Sequence, residues 1–391
     1  MKDAIVEDVE ANQQSGKARG VFFLATFMVG LALMELVAFC AVEFVLLPRA
    51  PAFFFHQPRI IESELQHYLE VHDPLVGWPA LAEKVISRPI PAFPEEGGEC
   101  ISLYGDSFTF GDEVEDAEAW SNVLSTQLGC RVANYGVGGY GTDQAFLRYS
   151  KNGKDRSRLV ILGIFPENLI RNVNQYRYFL DGVTVFSLKP RFIFDGDRLK
   201  LVNIPIQTAE EFHFATNHPV SAFPYEVFLP DSWNGPVTPS FPYLGVITRL
   251  LMSERFRDGL RGHPSWESFF REDHPSHALR ITVAIAHQFS DLCRSRGQEC
   301  LVIIYPTGRS FKQFKEYDHL ATRPLGEELE RHAIPYLDLH YAFRKRIGTE
   351  EFCGLLVESP SVRCMGHFNA GGNRLVADIL YQHLVLHGFR H

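Results

Sequence analysis

A serine stands at the centre of the chemistry that this sequence could perform. Ser107 lies in the stretch YGDSFTFG at residues 104–111, directly after a short apolar run of strand type at residues 100–103. A helical pattern follows from about Asp116, so the serine falls at a strand-to-helix turn. Open α/β folds place their reactive groups at this carboxyl edge, where backbone N–H groups can stabilise a developing negative charge. The alternative interpretation is a serine that only caps the helix.

Three later segments add glycine, asparagine and histidine to this serine. They read NYGVGGYGTDQ at residues 134–144, GIFPEN at residues 163–168 and GHFNAGGN at residues 366–373. Together with the serine segment, and in this order, they resemble the SGNH (GDSL-like) hydrolase superfamily over roughly residues 100–391. The resemblance implies a flavodoxin-like α/β fold and the activity of an esterase, lipase, acetylhydrolase or acyltransferase.

The resemblance implies a role for four residues. Ser107 is the predicted nucleophile, and His367, just before the last predicted helix, is the predicted general base, because a serine hydroxyl needs a base to become reactive. The predicted oxyanion hole combines the backbone N–H groups of Ser107 and Gly139 with the side-chain amide of Asn168. If the segments align one residue away, Gly138 and Glu167 take the last two places, and His367 could also be a plain helix cap.

The carboxylate that should orient the histidine is missing from its usual place. Members of the superfamily generally carry Asp three residues before the histidine, and that position is Cys364 here. Three explanations stay open at this point: a Ser-His dyad oriented by a backbone carbonyl, a carboxylate such as Glu358 or Asp338 reaching in from elsewhere, or an impaired enzyme. A disulfide between Cys353 and Cys364 could hold His367 in place.

Composition excludes several other classes of protein. The net charge of -9 and the lack of a basic stripe argue against a nucleic-acid partner. The histidines are scattered, so we predict no metal site, and the glycines at residues 136–141 lack the spacing of a dinucleotide loop, so we predict no cofactor.

The N-terminal part predicts a membrane anchor. Residues 21–47 form an apolar run of about 27 residues, long enough to span a bilayer with some tilt. Lys17 and Arg19 precede it, which predicts a cytoplasmic N-terminus and a periplasmic or otherwise extracytoplasmic catalytic domain. A cleaved signal peptide is the alternative, but the run is long and no small-x-small cleavage site follows. Glu35 and Glu43 lie inside the run, where carboxylates usually face a partner helix or are protonated, so a membrane protein partner is possible.

Cysteine usage points to an oxidising compartment. The chain has 7 Cys, of which Cys40 lies in the apolar run and six lie beyond it. An even number outside the membrane predicts disulfides, with six buried reduced thiols as the alternative. Proximity favours the pairs Cys100–Cys130, Cys293–Cys300 and Cys353–Cys364.

The domain organisation follows from these segments. We predict a cytoplasmic tail at residues 1–20, the anchor at 21–47, a linker and packing segment at 48–98, and a hydrolase-like domain at 99–391 with residues 175–275 inserted as a cap. Within the domain, strands at 101–104, 132–135, 159–163, 301–305 and 335–339 alternate with helices, the last at 370–386. This alternation predicts a doubly wound parallel sheet. Trp78, in the packing segment, is expected to pack against the catalytic domain rather than to stack on substrate.

The leading functional hypothesis is a membrane-anchored serine esterase that works through an acyl-enzyme. The anchor and an aromatic content of 13% favour an acylated carbohydrate or lipid as substrate, with O-acetyl groups of a cell-envelope or exported polysaccharide as the preferred guess by analogy. The alternatives are a polysaccharide O-acyltransferase with the same Ser-His site, or a catalytically impaired envelope protein that binds polysaccharide.

Overall fold

The computed structural model describes residues 2–78, 87–95, 97–204, 206–358 and 364–389, with side chains from residue 19 onward. The chain forms two compact units. The first unit contains Met1–Gln57, Phe179–Gly182 and Phe228–Arg261. The second unit contains Pro58–Tyr178, Val183–Val227 and Gly262–His391.

The second unit is built on a parallel sheet of five strands in the order β2-β1-β3-β6-β7. The strands of this sheet are β1 (Glu99–Tyr104), β2 (Arg131–Asn134), β3 (Leu159–Ile164), β6 (Glu299–Ile304) and β7 (Tyr336–Asp338), and a separate antiparallel hairpin consists of β4 (Arg191–Asp195) and β5 (Arg198–Val202). Strand order reverses between β1 and β3, which is the pattern of a flavodoxin-like doubly wound sheet. The predicted fold class is therefore confirmed.

The α-helices are, in chain order, α1 (Lys2–Ala41), α2 (Leu47–Arg49), α3 (Glu62–Val71), α4 (Ser107–Phe110), α5 (Trp120–Leu128), α6 (Thr142–Lys151), α7 (Asn168–Asn172), α8 (Tyr178–Asp181), α9 (Ala209–Asn217), α10 (Pro219–Ala222), α11 (Tyr243–Met252), α12 (Glu254–Arg261), α13 (Ala278–Ser295), α14 (Gly308–Tyr317), α15 (Arg323–Arg331), α16 (Leu339–Arg344), α17 (Thr349–Cys353) and α18 (Ala370–Leu386). Short 3-10 helices lie at Pro51–Phe53, Asp116–Glu118 and Glu267–Phe270, and a π-helical segment, Val42–Leu46, joins α1 to α2.

Alternating residues of the sheet divide the core between its two faces. Ile101 and Leu103 of β1 and Ile161 of β3 share one apolar cluster with residues of α5 and α18. Because side chains alternate along a strand, Val160 and Leu162 of β3 lie on the opposite face, where α6 and α13 pack on the sheet. All of β3 is buried, as expected for a continuous apolar run in a parallel sheet.

Two of the three expected disulfides are present. Cys100–Cys130 ties the start of β1 to the residue before β2, and Cys353–Cys364 closes the loop that leads to His367. Both pairs are confirmed. The third predicted pair is wrong, because Cys293 and Cys300 are free thiols. They lie within hydrogen-bonding reach of each other, which lowers the pKa of the Cys300 thiol to about 6, and Cys300 Sγ also contacts Ser290 Oγ at 3.4 Å.

The long insertion between β3 and β6 contains the expected hairpin and helices. The Asp-Gly turn joins β4 to β5, with Gly196 at a φ of 61° that favours glycine. Residues 179–182 and 228–261 of the insertion belong to the first unit, and the remainder belongs to the second. The role of residues 175–275 as a cap over the site stays a prediction.

The first unit contains the long N-terminal helix. Arg19–Arg49 is long and apolar enough to cross a membrane, and only 6% of its most apolar window is buried. Among the described residues it is the one helix that meets these criteria of length and composition. The shorter helices α11 and α12 belong to the same unit.

Candidate active site

The Ser107 turn is shaped by the residues on either side of it. Ser107 is the first residue of α4, and Asp106 caps this helix by accepting a hydrogen bond from the Phe108 N–H at 3.0 Å. A side chain at Gly105 would place its Cβ 2.0 Å from Thr109 Oγ1, so the turn requires glycine there. The serine therefore lies at the carboxyl end of β1, as its sequence pattern predicts.

Asp106 fastens this turn to the segment after β3. Its buried carboxylate accepts hydrogen bonds from Asn168 Nδ2 at 3.0 Å and from Arg171 at 3.3 Å. Burial raises the pKa of Asp106, and the Arg171 charge and the Asn168 amide act in the opposite direction. Because β1 and β3 are neighbours in the sheet, this network joins the first and third sequence segments at one edge.

His367 lies beside the same turn. Its ring packs on the ring of Phe108, with centroids 5.1 Å apart. The Val357 N–H donates to the His367 carbonyl at 2.8 Å, and Asn369 caps α18 immediately afterwards. The structure thus brings the predicted base to the turn that carries Ser107, although the two residues are 260 positions apart in the sequence.

Glu113 supplies a carboxylate to the imidazole. Its Oε2 lies 2.8 Å from His367 Nδ1 and also accepts from the His367 backbone N–H at 3.4 Å. Neither carboxylate considered from the sequence takes this place: Asp338 is bonded to His340, and Glu358 makes no hydrogen bond with His367. The carboxylate that contacts the His367 ring therefore comes from the loop after Ser107, not from the residues before the histidine.

The loop that carries Glu113 has an unusual backbone conformation and is held by hydrogen bonds from Arg88. Glu113 has a φ of 67°, in the left-handed region that non-glycine residues seldom adopt. The buried Arg88 guanidinium donates to three carbonyl oxygens of this loop, those of Phe110 at 2.8 Å, Gly111 at 2.6 Å and Val114 at 2.7 Å. Arg88 also pairs with Asp116 at 2.7 Å. Sequence reasoning missed both Glu113 and Arg88.

The backbone N–H groups predicted for the oxyanion hole are those of Ser107 and Gly139. Among the described residues, neither the Ser107 N–H nor the Gly139 N–H has a hydrogen-bond partner. Gly139 has a φ of 79°, in the left-handed region that favours glycine. Trp78 Nε1 donates to the carbonyl of Gly138 at 3.1 Å, which is a packing role for that tryptophan.

The predicted third oxyanion donor, Asn168, is already engaged. It is 1% exposed, and its Nδ2 donates to Asp106 at 3.0 Å and to the Tyr140 carbonyl at 3.1 Å. Its Oδ1 accepts from the Phe165 N–H at 2.7 Å. In this conformation Asn168 binds the Asp106 carboxylate and the Tyr140 carbonyl, so it can reach a substrate only by releasing one of these bonds.

Ser107 and His367 are not joined by a hydrogen bond. The Ser107 hydroxyl makes no hydrogen bond with any described residue, His367 included. Such bonds are often long or absent without substrate and form in the complex. His367 and Glu113 keep 27% and 50% of their side-chain surface exposed, whereas Ser107 is 7% exposed. Within the described ranges there is no cluster of metal-binding side chains.

Comparison with known proteins found matches among solved structures. No protein-family model and no curated protein matched the sequence. Among solved structures, a putative lipolytic protein of the G-D-S-L family from Desulfitobacterium hafniense is 11% identical with a TM-score of 0.32, covering 73% of this chain and 99% of that one. The acetyl xylan esterase AlAXEase is 10% identical (TM-score 0.36; 73% and 98% covered), and a catalytic mutant of Axe2, an acetylxylan esterase from Geobacillus stearothermophilus, is 11% identical (TM-score 0.36; 76% and 97% covered). At these identities and TM-scores, the activities of the matched proteins do not carry over to this chain.

Proposed function

We propose that the chain is a serine esterase that forms an acyl-enzyme on Ser107. The observation that carries this proposal is the pair formed by His367 and Glu113 beside the Ser107 turn, with two unbonded N–H groups at the same sheet edge. A reactive serine needs a base, an acid that orients the base, and donors for the oxyanion. The residues of this edge offer all three.

The proposed reaction has two halves. His367 Nε2 takes the proton of the Ser107 hydroxyl while Oγ attacks the ester carbonyl, and the N–H groups of Ser107 and Gly139 stabilise the oxyanion. His367 then gives the proton to the departing alcohol, which leaves the acyl group on Ser107. A water molecule, deprotonated by His367, then attacks the acyl-enzyme, and His367 returns this proton to Ser107 Oγ as the carboxylic acid leaves.

Glu113 has the role of the third triad member. By accepting from Nδ1–H at 2.8 Å, it fixes the tautomer in which Nε2 carries the lone pair, and it stabilises the imidazolium that forms. This contact weighs against the impaired and dyad explanations. In this scheme Asn168 positions Asp106, and it becomes a third oxyanion donor only after releasing a present partner.

The location proposed for this activity is the outer face of a membrane. The helix Arg19–Arg49 would act as a single-pass anchor, and the disulfides Cys100–Cys130 and Cys353–Cys364 suit an oxidising compartment. An acylated envelope or exported polysaccharide, with acetyl as the acyl group, is the substrate class we propose for an enzyme in this place. A sugar hydroxyl in place of water would turn the same acyl-enzyme into an O-acyltransferase.

The test is active-site trapping in the full-length protein in detergent. A fluorophosphonate probe should label the wild type at Ser107 and leave Ser107→Ala unlabelled, and p-nitrophenyl acetate turnover should be lost in the same variant. Equal turnover by both proteins, with no trapped serine, would leave a binding protein as the better explanation. Adding an unacetylated oligosaccharide acceptor and weighing it by mass spectrometry separates acetyl transfer from hydrolysis.

A further inference from the structure

We infer that residues 237–252 enter the membrane beside α1 as a re-entrant hairpin whose outer face is covered by lipid acyl chains. This inference rests on the membrane anchoring contained in the proposed function. It concerns the first unit only, and its observations are independent of the Ser107 site. This segment, the re-entrant hairpin, has a descending arm at residues 238–242 and an ascending arm formed by α11.

The tip of the hairpin is fixed by a carboxylate inside the apolar run. The Tyr243 N–H donates to Glu35 Oε1, and the Leu244 N–H donates to Glu35 Oε2 at 3.0 Å. The Tyr243 hydroxyl donates to Glu43 Oε1 at 2.9 Å, and its ring packs edge-on against Phe39 at 5.0 Å. Both glutamates of the predicted anchor therefore face a segment of their own chain.

Glu35 lies at membrane depth wherever the bilayer is placed on α1. A hydrocarbon core of about 30 Å takes about 20 helical residues, fewer than the run at 21–47 provides. Any 20-residue window within that run ends at residue 40 or later. Glu35 then lies about 7 Å or more inside the outer boundary, at about 1.5 Å per residue. The Tyr243 end of α11 shares that depth.

The ends of the two arms that lie away from the tip contact the chain near the outer end of α1. Val237 exchanges backbone hydrogen bonds with Phe53 at 2.8 Å and Phe55 at 3.0 Å, just beyond the apolar run. Val246 and Leu250 of α11 share a buried cluster with Val42, Phe54 and Phe256, against which Leu46 and Leu47 also pack. The chain therefore descends from Val237 to the Glu35 level and climbs back along α1.

The lengths of the arms agree with this path. From Glu35 to Leu47 the helix rises about 18 Å at about 1.5 Å per residue. The six steps from Val237 to Tyr243 can span about 20 Å when extended, and the ten residues of α11 climb about 15 Å.

The start of α11 has the backbone partners that a hydrocarbon surrounding requires. In lipid, every backbone polar group needs a partner from the protein. Glu35 accepts from the first two N–H groups of α11, and Gly245 N–H donates to the Pro242 carbonyl at 3.0 Å. The side chain of Thr248 donates to the Leu244 carbonyl at 2.8 Å.

The exposed surface of the hairpin carries large apolar side chains, together with Ser240 and Thr248, and it adjoins the apolar surface of α1. Phe241 is 77% exposed, and Leu251 and Met252 are each 56% exposed. On α1, Val37 is 68% exposed and Leu36 is 56% exposed. Because α11 packs on α1 at this level, the bilayer that surrounds one helix also reaches the other.

Polar and aromatic side chains follow at the outer end of the unit. Arg249 pairs with Asp231 at 3.5 Å, and the Arg257 guanidinium lies 5.2 Å from the centre of the Trp233 ring. Tryptophan and arginine are the residues that commonly occupy the membrane–water interface. The order from apolar tip to polar rim supports lipid, rather than water, as the occupant of the exposed face.

The test measures depth at three single sites in the full-length protein, reconstituted in phosphatidylcholine vesicles. Cysteine is introduced as Phe241→Cys, Leu36→Cys or Tyr317→Cys in a Cys40→Ser background and labelled with an NBD fluorophore, with the background protein correcting for Cys293 and Cys300. The label at Phe241→Cys should be quenched by doxyl lipid at least three-fold more strongly than by aqueous iodide. Leu36→Cys should behave likewise, and Tyr317→Cys, exposed in the second unit, should show the reverse.

The outcomes separate this inference from the proposal on which it rests. A Phe241→Cys label that iodide reaches, while lipid reaches only Leu36→Cys, overturns the hairpin and leaves the anchor. If iodide also reaches Leu36→Cys, the anchor itself is wrong. A Phe241→Cys label shielded from both quenchers indicates a second copy or another protein on this face and overturns the lipid assignment. Adding Glu35→Leu should raise iodide quenching at Phe241→Cys at least two-fold, whereas Glu35→Gln, which keeps an acceptor, should not.

Discussion

Among the described residues, two clusters combine a serine, a histidine and a carboxylate, and the one with the complete set of hydrogen bonds is not the candidate site. Ser310 Oγ lies 2.7 Å from His340 Nε2, and Asp338 Oδ1 lies 2.7 Å from His340 Nδ1. In the cluster proposed as catalytic, Glu113 lies 2.8 Å from His367 Nδ1, but Ser107 is not yet bonded to the imidazole.

Access and free donors separate the two clusters. Ser310 and His340 are both 0% exposed, whereas His367 keeps 27% of its side chain open to solvent. The Ser310 N–H is bonded to Thr307 Oγ1 at 2.9 Å, while the Ser107 N–H has no partner among the described residues. A buried triad without an oxyanion donor can only join elements, which is what the Ser310 cluster does for α14 and α16. Bond geometry alone therefore does not identify a catalytic serine.

The largest expected effect contrasts the two serines. Ser107→Ala should lower kcat for p-nitrophenyl acetate by at least about 10³-fold, because it removes the nucleophile. Ser310→Ala should leave kcat within about two-fold. It should lower the free energy of unfolding by about 1–3 kcal/mol, since a buried imidazole loses its partner. Steady-state kinetics and urea unfolding measure the two quantities.

Two results would contradict the roles assigned to Ser107 and Ser310. A Ser310→Ala protein that folds with an unchanged unfolding midpoint but loses turnover would make the buried cluster the active one. Retained turnover in Ser107→Ala would remove the proposed acyl-enzyme.

The second contrast concerns the two carboxylates. Glu113→Gln keeps the size of the side chain but no longer fixes the catalytic tautomer of His367, so kcat should fall by about 10²–10⁴-fold with little change in KM. Asp338→Asn is the matched change in the buried cluster, where it should affect the unfolding midpoint rather than kcat. Wild-type kcat in Glu113→Gln would mean that the site works as a dyad and that Glu113 is only a surface neighbour.

Local sequence patterns predicted those parts of the candidate site whose conformation depends on residues adjacent in the sequence. The Ser107 turn needs only a strand, two flanking residues and a helix start, all within residues 99–111. The last helix, Ala370–Leu386, has the predicted bounds because its apolar period and the Asn369 cap are local signals. The sheet was predictable for the same reason.

Local sequence patterns could not predict contacts between residues that are far apart in the sequence. Glu113 and His367 are 254 positions apart, and the link depends on the left-handed φ of Glu113 and on the three carbonyl contacts of Arg88. No sequence period encodes that loop. Glu35 and Tyr243 are 208 positions apart, so the sequence indicated a polar partner for the glutamate but not its identity. A carboxylate six residues after the serine was the available signal for Glu113.

The third prediction asks whether Arg88 acts through Glu113. Arg88→Met should lower kcat by about ten-fold, because the loop that holds Glu113 loses the guanidinium that binds three of its carbonyl groups. If Arg88 works by positioning, Arg88→Met in a Glu113→Gln background should cause little further loss of kcat, since residues that act as a unit are not additive. Full additivity in this double-mutant cycle would show that Arg88 supports the fold generally.

The smallest expected effect on kcat comes from removing a disulfide, and the two disulfides serve as a matched pair. Removing either one by paired Cys→Ser changes should lower the free energy of unfolding by about 3–4 kcal/mol, because the closed loops span 11 and 30 residues. Only loss of Cys353–Cys364 should also lower kcat, by about two- to five-fold, since Cys364 lies three residues before His367 and holds the start of its loop against Gly308. Loss of Cys100–Cys130, at the opposite end of β1 from Ser107, should leave kcat unchanged. Equal kcat in both variants would show that the His367 loop is held by its own hydrogen bonds, from Val357 to the His367 carbonyl and from Asn369 to Leu355, rather than by the covalent link. In that case, these hydrogen bonds together with the Glu113 contact would account for the placement of the imidazole.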